Sequence, residues 1–159
     1  MAQQFLYSVE REYPVSIERL WKAWTDASEL ESANILFFQC KALDTRNASR
    51  SIRHLLHENS ICISFQNGLG NAEILANRIG RERVFVGSLT HAAWRSNEGE
   101  VYWVGRGSIN FGALNIQENF RAEPLLKILN DADLNAILSD DIQQIIWKKL
   151  LINVAINPV

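Results

Sequence analysis

The stretch that decides the fold is Ile61-Cys62-Ile63-Ser64-Phe65-Gln66-Asn67-Gly68-Leu69-Gly70-Asn71. Its first five residues form a short, mostly apolar run, which is typical of a strand. A loop with two glycines follows, and then a helix is predicted over residues 72–79. A strand followed by a loop and a helix is the first part of a strand–helix–strand unit, which a second strand completes.

The neighbouring segments complete that unit on both sides. Residues 35–40 (ILFFQC) form a continuous apolar run, as expected of a parallel strand buried on both faces. A helix is predicted to begin at Asp44-Thr45, and a third strand covers residues 84–90. Strands that alternate with helices predict an α/β fold, a mostly parallel sheet with helices on both faces.

The pattern changes after residue 90. Residues 101–104 and 108–112 are predicted to be the strands of an antiparallel meander, joined by a Gly105-Arg106-Gly107 turn. A helix over residues 123–130, a short strand over 136–138 and a terminal helix then follow.

The terminal helix, DDIQQIIWKKLLINVAINPV (residues 140–159), is apolar on nearly all sides in its second half, which predicts a buried helix. Asp140, with Gln143 three residues later, is predicted to cap it. Three polar residues recur every four positions and lie on one stripe: Lys149, Asn153 and Asn157. The stripe is either the solvent edge of the helix or a set of groups for a polar ligand.

The motif W-x-K-L-x-x-N-x-x-I-N-P within this helix resembles the signature helix of the ketopantoate reductases. Further blocks resemble the same family in the same order: ILFFQCKA, ISFQNGLGN, VFVGSLTHAAWR and GRGSINFG. The resemblance covers residues 34–159 and implies a partial Rossmann-type fold. It also implies NADPH-dependent reduction of 2-dehydropantoate, a 2-oxo acid, to pantoate, in pantothenate and coenzyme A biosynthesis.

The resemblance also implies roles for individual residues. Lys149 corresponds to the catalytic acid, and Lys149, Asn153 and Asn157 to the substrate-binding residues. The cofactor, NADP in its reduced form, would be contacted by Lys41, Asn67 and Ala93. The preference for NADP over NAD stays open. The physical alternatives are a solvated loop lysine at Lys41 and ordinary turn chemistry at Asn67.

Other candidate side chains have simpler explanations. His91 follows a strand, and a lone histidine there is more often structural than catalytic. Trp94 and Trp103 are interpreted as packing residues. Gly68-x-Gly70 lacks the third glycine of a dinucleotide fingerprint and is weak evidence by itself. No pattern for a hydrolase or a metal site is found in the sequence.

The composition limits the classes of partner. The chain has 159 residues, a net charge of −2 and 47% hydrophobic residues. These values give no reason to expect nucleic acid or a membrane as partner, and no apolar run is long enough to span a bilayer. Cys40 and Cys62 are predicted to be small core residues in a cytoplasmic protein. Homo-oligomers could form through an exposed sheet edge or the terminal helix.

Residues 1–33 differ from the rest. Residues 11–26, REYPVSIERLWKAWTD, resemble the opening of START-like (SRPBCC) domains, so residues 1–33 are predicted to be a strand–helix segment and not a full domain. Two parts of the reductase pattern have no counterpart here, the G-x-G-x-x-G strand and the helical domain beyond Asn157. We therefore expect a truncated nucleotide-binding domain whose activity alone is impaired or absent. The alternatives are a non-catalytic interaction module and a START-like hydrophobic-ligand binder.

Overall fold

The computed structural model describes residues 32–96 and 100–156. The strands in this part of the chain are β1 (Ile35–Phe38), β2 (Ile61–Ser64), β3 (Val84–Leu89), β4 (Ala92–Arg95), β5 (Val101–Gly105), β6 (Ile109–Ala113) and β7 (Ala136–Leu138). The α-helices are α1 (Thr45–Ser51), α2 (Asn71–Ile79), α3 (Glu123–Asp131) and α4 (Ile142–Ile156). Short 3₁₀ helices cover Ala42–Asp44, Arg53–Leu55, Arg81–Arg83 and Ile116–Ala122.

Within the described residues the main sheet has five strands, in the order β1-β2-β3-β6-β7. β1, β2 and β3 are parallel, with Phe37 beside Ile63 and Ile63 beside Phe85. β6 runs antiparallel to β3, and β7 runs parallel to β6. The predicted α/β class with a mostly parallel, Rossmann-type sheet is therefore confirmed.

Both faces of the sheet are buried, because successive side chains of each strand point to opposite faces. On one face Ile63, Phe85 and Phe111 form a core with Leu125 and Leu129 of α3. On the other face the core contains residues of β2, β3, α2 and α4: Cys62, Val84, Val86, Leu75, Ile79 and Ile142. Helices cover both faces, as the continuous apolar runs of the strands predict.

The antiparallel part of the fold differs in its pairing from the predicted meander. β5 does not turn back alongside β6; it pairs with β4 in a separate two-stranded sheet. β6 instead takes the free edge of β3, where Phe111 and Ala113 can enter the core. Core burial outweighs the local turn at residues 105–107 in deciding the partner of β6.

The start of α4 also differs from the prediction. The side chain that caps the helix is Asp141, whose Oδ1 accepts a hydrogen bond from the backbone N–H of Gln144 at 3.0 Å. The predicted cap, Asp140, precedes it and is exposed. An N-cap side chain usually accepts a hydrogen bond from the backbone N–H three residues later in the chain. Asp141 meets this condition, so Asp141 is the N-cap of α4.

The prediction that α4 is a buried helix is wrong for its second half. Ile142 is buried, but Leu151, Val154 and Ile156 are 65–70% exposed. Only the first turns of α4 pack on the sheet, through Ile142, Ile145 and Ile146. The second half extends past this core, so its apolar residues remain on the surface.

The two cysteines are free thiols with different surroundings. Cys62 is fully buried, and Cys40 is half-buried. Burial raises the pKa of Cys62 to about 12, and the guanidinium of Arg83 partly opposes that rise. Cys62 belongs to the core, as predicted, whereas Cys40 is a partly buried neighbour of the same cluster, so the prediction is confirmed for Cys62 alone.

No helix among residues 32–96 and 100–156 is both long enough and apolar enough to span a membrane. The segment that resembles the opening of a START-like domain, residues 11–26, lies outside the described residues. Among residues 32–96 and 100–156, β1 is an edge strand of the sheet, and its Phe37 is half exposed.

Candidate functional site

A cleft opens between α4 and the carboxyl ends of β2 and β3. Its floor is formed by Ser64, Val86, Gly87 and Ser88. On this face of the sheet the strands change from the apolar Cys62 and Val84 to small polar serines at their carboxyl ends. This change leaves room where ligands bind in open α/β sheets.

One wall of the cleft is a stripe of α4. Gln143, Ile146, Lys149, Leu150 and Asn153 all line it, and their spacing of three and four residues places them on one side of the helix. The polar stripe predicted from the sequence therefore faces the cleft at Lys149 and Asn153. Asn157 lies outside the described residues.

Lys149 is held by a direct contact with the sheet. Its Nζ donates a hydrogen bond to the backbone carbonyl of Leu89, the last residue of β3, at 3.2 Å. The side chain is half-buried, and an ammonium has three donors, so this bond leaves two for a ligand. The cationic group thus lies at the carboxyl end of the central strand of the sheet.

The opposite wall is the loop between β2 and α2. Gly68 and Gly70 have φ values of +90° and +89°, which residues with a side chain rarely adopt. A Cβ atom at either glycine would meet no atom within 4 Å. The two glycines therefore leave open space beside the N-terminus of α2, a shape in which the backbone can approach a ligand closely.

A chain of buried and partly buried hydrogen bonds stabilises this loop, and it was not predicted from the sequence. Ser64 Oγ donates to Gln66 Oε1 at 3.0 Å, and Gln66 Nε2 donates to Thr45 Oγ1 at 2.8 Å. Thr45 Oγ1 donates to Asn71 Oδ1 at 3.0 Å, and Asn71 Nδ2 donates to the carbonyl of Asn67 at 3.2 Å. The sequence offers one signal for it, polar residues directly after a buried strand.

The three residues expected to contact the cofactor do not lie together. Asn67 is exposed in the glycine loop and lines the cleft. Lys41 follows β1 and is exposed at the start of the 3₁₀ helix Ala42–Asp44, at the same edge of the sheet but outside the cleft lining. Ala93 is exposed in β4, opposite Trp103, and is also outside the lining.

His91 connects two loops. Its Nδ1 accepts a hydrogen bond from the N–H of Gly107 at 3.1 Å, so the proton is on Nε2, which donates to the carbonyl of Leu134 at 2.9 Å. Both ring nitrogens are thus used within the fold, as expected of a structural histidine.

The two tryptophans of the hairpin pack against neighbouring side chains. Trp103 packs on the His91 ring, with 5.2 Å between the centroids, and Trp94 stacks on Tyr102 at 4.4 Å. They are packing residues, as predicted.

The mostly parallel sheet, with helices on both faces and a glycine loop at its carboxyl edge, defines a Rossmann-type α/β fold. The model of the ketopantoate reductase PanE/ApbA family matches residues 8–115. The chain therefore belongs to the ketopantoate reductase family.

Several relatives agree with this assignment. A 2-dehydropantoate 2-reductase of Archaeoglobus fulgidus is 33% identical over 132 residues, which are 83% of this chain and 44% of the relative. One from Halobacterium salinarum is 29% identical over 133 residues, 84% of this chain and 44% of that protein. The crystal structure of 2-dehydropantoate 2-reductase from Geobacter metallireducens superposes with a TM-score of 0.70 and 29% identity, covering 77% of this chain and 41% of that one.

The chain spans less than half the length of these relatives. The family match begins at residue 8, so it includes most of the segment that resembles a START-like domain. The matches give no support to a START-like ligand binder or to a separate interaction module. The division of the chain at residue 33 stays a prediction.

Proposed function

We propose that this chain forms the nucleotide-binding part of an enzyme that reduces 2-dehydropantoate to pantoate with NADPH, a step in pantothenate and coenzyme A biosynthesis. The observation that supports this best is the cleft itself. Lys149 and Asn153 of α4 face the glycine loop of residues 66–71 across the carboxyl ends of β2 and β3. The names of the relatives, 2-dehydropantoate 2-reductase, support 2-dehydropantoate as the proposed substrate.

The glycine loop fits a nicotinamide cofactor. Gly68 and Gly70 leave space that a side chain would fill, and the N-terminus of α2 behind them favours negative charge. In this proposal Asn67, Lys41 and Ala93 contact the cofactor, which supplies a hydride when bound. A D-mandelate dehydrogenase of similar fold was crystallised with NADH, which supports a nicotinamide cofactor without deciding between NADP and NAD.

Lys149 is the proposed catalytic acid. As the carbonyl group of a 2-oxo acid is reduced, negative charge develops on its oxygen. An ammonium group in a half-buried position stabilises that charge and can donate the proton to the oxygen. The hydrogen bond to Leu89 holds Nζ of Lys149 near the end of β3. Because the side chain is already restricted, it loses less conformational entropy when the substrate binds.

Asn153 and Asn157 are the proposed substrate-binding residues. An amide side chain both donates and accepts hydrogen bonds, so it can orient a carboxylate or a hydroxyl group without adding charge. Asn153 lies one helical turn after Lys149 on the same wall of the cleft. The two side chains can therefore contact neighbouring groups of one small substrate.

The proposal also includes the cellular location and the self-association of the protein. A net charge of −2 favours neither nucleic acid nor anionic membranes as partner, and we propose a cytoplasmic location. Self-association would use the edge of β1 or the exposed second half of α4. Sedimentation over a range of concentrations tests this: a constant monomer mass contradicts it.

The experiment that tests the function is NADPH oxidation by the full chain in the presence of 2-dehydropantoate. Lys149→Gln should lower the rate by about 10²–10⁴-fold, the usual contribution of a general acid. Lys148→Gln is the matched control, because Lys148 is exposed and, in the part of the chain that the structure describes, its Nζ donates a hydrogen bond only to Gln144 on the helix surface, at 2.7 Å. Equal effects of the two changes contradict the proposal. Because we expect impaired or absent turnover from this chain alone, a chain without turnover is tested by its binding of NADPH and 2-dehydropantoate, and absence of binding contradicts the proposal.

A further inference from the structure

We propose that Thr45, Gln66 and Asn71 form a positioning network that fixes the two loops which carry Asn67 and Lys41 relative to each other. The inference rests on the proposed function, since it concerns the loops assigned to the cofactor. None of the three side chains needs to contact the cofactor for this role. Each acts through the backbone that it holds.

The hydrogen bonds of the network all run in one direction. Gln66 donates to Thr45, Thr45 donates to Asn71, and Asn71 donates to the backbone carbonyl of Asn67. Aligned donors and acceptors polarise one another, so a chain of this kind is stronger than isolated bonds. Loss of the central hydroxyl would interrupt it on both sides.

The network also reaches the loop that carries Lys41. The second N–H of the Gln66 amide donates to the backbone carbonyl of Cys40 at 2.7 Å. Cys40 directly precedes Lys41, and Lys41 begins the 3₁₀ helix that leads into Thr45. The side chain of Gln66 therefore ties the end of β1, the start of α1 and the loop after β2 to one another.

The burial of Thr45 and Asn71 makes the loss of these hydrogen bonds costly. Thr45 is fully buried and Asn71 is 5% exposed, so an unpaired polar atom there could not turn to water. The loop that they hold is exposed from Asn67 to Gly70 and contains two glycines with positive φ. Glycine-rich backbone has many alternative conformations in the absence of such restraints. The network thus restricts the conformation of residues 67–70, whose glycine-rich backbone allows many conformations.

Three changes separate this role from general stability. Thr45→Val keeps the shape of the side chain and removes the hydroxyl, whereas Thr45→Ser keeps the hydroxyl. Asn71→Asp retains the acceptor for Thr45, removes the donor to Asn67 and adds a negative charge. Ser49→Ala is the matched control. Ser49 lies in the same helix α1 and is fully buried, and among the described residues its hydroxyl bonds only to the carbonyl of Arg46.

The first measurement needs no cofactor. Side-chain amide hydrogen exchange of Gln66 and Asn71, and backbone order parameters of residues 67–70, are measured by NMR on the full chain. Thr45→Val should raise the exchange rate of both side-chain amides by about tenfold or more and lower the loop order parameters. Asn71→Asp should lower the order parameters, and Thr45→Ser and Ser49→Ala should leave all these values unchanged.

The second measurement is the dissociation constant for NADPH. Thr45→Val should weaken binding by about tenfold, which corresponds to ~1.4 kcal/mol, with recovery in Thr45→Ser. Unchanged loop order in Thr45→Val, or an equal loss in Ser49→Ala, overturns the network. Absence of NADPH binding in the unaltered chain contradicts the proposed function instead, while the exchange data still decide whether the network positions the loop.

Discussion

Gly87 lies at the meeting point of the core and the cleft, and replacing it with alanine should destabilise the protein through one identifiable collision. A Cβ at this position would lie 2.1 Å from Cε1 and 2.5 Å from Cδ1 of Phe65, and 3.1 Å from the carbonyl oxygen of Asn110. Phe65 is 7% exposed within the core and stacks on Phe37 with 6.2 Å between the ring centroids. The Phe65 ring must therefore move to accommodate the new methyl group, and the packed core leaves little space for that movement.

The size of the effect follows from the cost of overpacking. Inserting a methyl group into a packed core typically costs about 1–3 kcal/mol. For a domain of this size ~2 kcal/mol lowers the melting temperature by about 4–8 °C. Because Phe65 immediately precedes Gln66 and Asn67, the displaced ring should also move the loop that forms one wall of the cleft.

Urea denaturation of a double-mutant cycle measures this effect. Phe65→Leu should remove the ring atoms that collide with the new methyl group, so the double variant Gly87→Ala/Phe65→Leu should be more stable than the sum of the two single changes predicts. We expect a coupling free energy of at least ~0.5 kcal/mol. Additive effects, or a Gly87→Ala protein as stable as the unaltered chain, would refute the packing argument.

Further predictions test other parts of the fold. Gly68→Ala should cost about 1–2 kcal/mol in urea denaturation through its φ of +90° alone, because no atom lies within 4 Å of the new Cβ; a neutral result would contradict the strained backbone. Asp141→Ala should cost ~1 kcal/mol in the same assay by removing the cap of α4, with Asp140→Ala as the neutral control. Cys62 should react with a thiol reagent only after unfolding, whereas Cys40 reacts in the folded protein. The pKa of Cys62 is raised from 9.0 to about 12 in the fold, so its contribution to stability is complete below pH 9 and is lost as the pH rises towards 12; a stability that is constant across that pH range would contradict this.

The strands of the main sheet could be predicted because their burial on both faces leaves continuous apolar runs. β2 and β3 are examples, and their predicted bounds differ from the observed ones by a single residue at one end. β4 could not be predicted in this way. All four of its residues are exposed, so its sequence has no burial pattern.

Pairing between distant strands was the harder part of the fold. The glycines at residues 105 and 107 suggested that β5 and β6 are neighbours. The actual choice depends on where Ile109, Phe111 and Ala113 can be buried, which is a property of the whole sheet. Local turn signals carry no information about that competition.

The candidate site could be predicted only where its residues lie close together in the sequence. The spacing of Lys149 and Asn153 on one helix predicts that they share a face, and both line the cleft. Thr45 and Asn71 are 26 residues apart, so nothing in the local sequence connects them, yet their side chains share a buried hydrogen bond. Only the folded chain brings such pairs together.

The central claim is that the cleft between the glycine loop and α4 belongs to a nicotinamide-cofactor site. The most direct test is a titration of the full chain with NADPH, followed by cofactor fluorescence, and repeated with Asn67→Ala and Lys41→Ala. The account predicts saturable binding that both changes weaken, with Lys148→Ala as a control that leaves it unchanged. No binding at millimolar NADPH, or equal binding by all the variants, would contradict it.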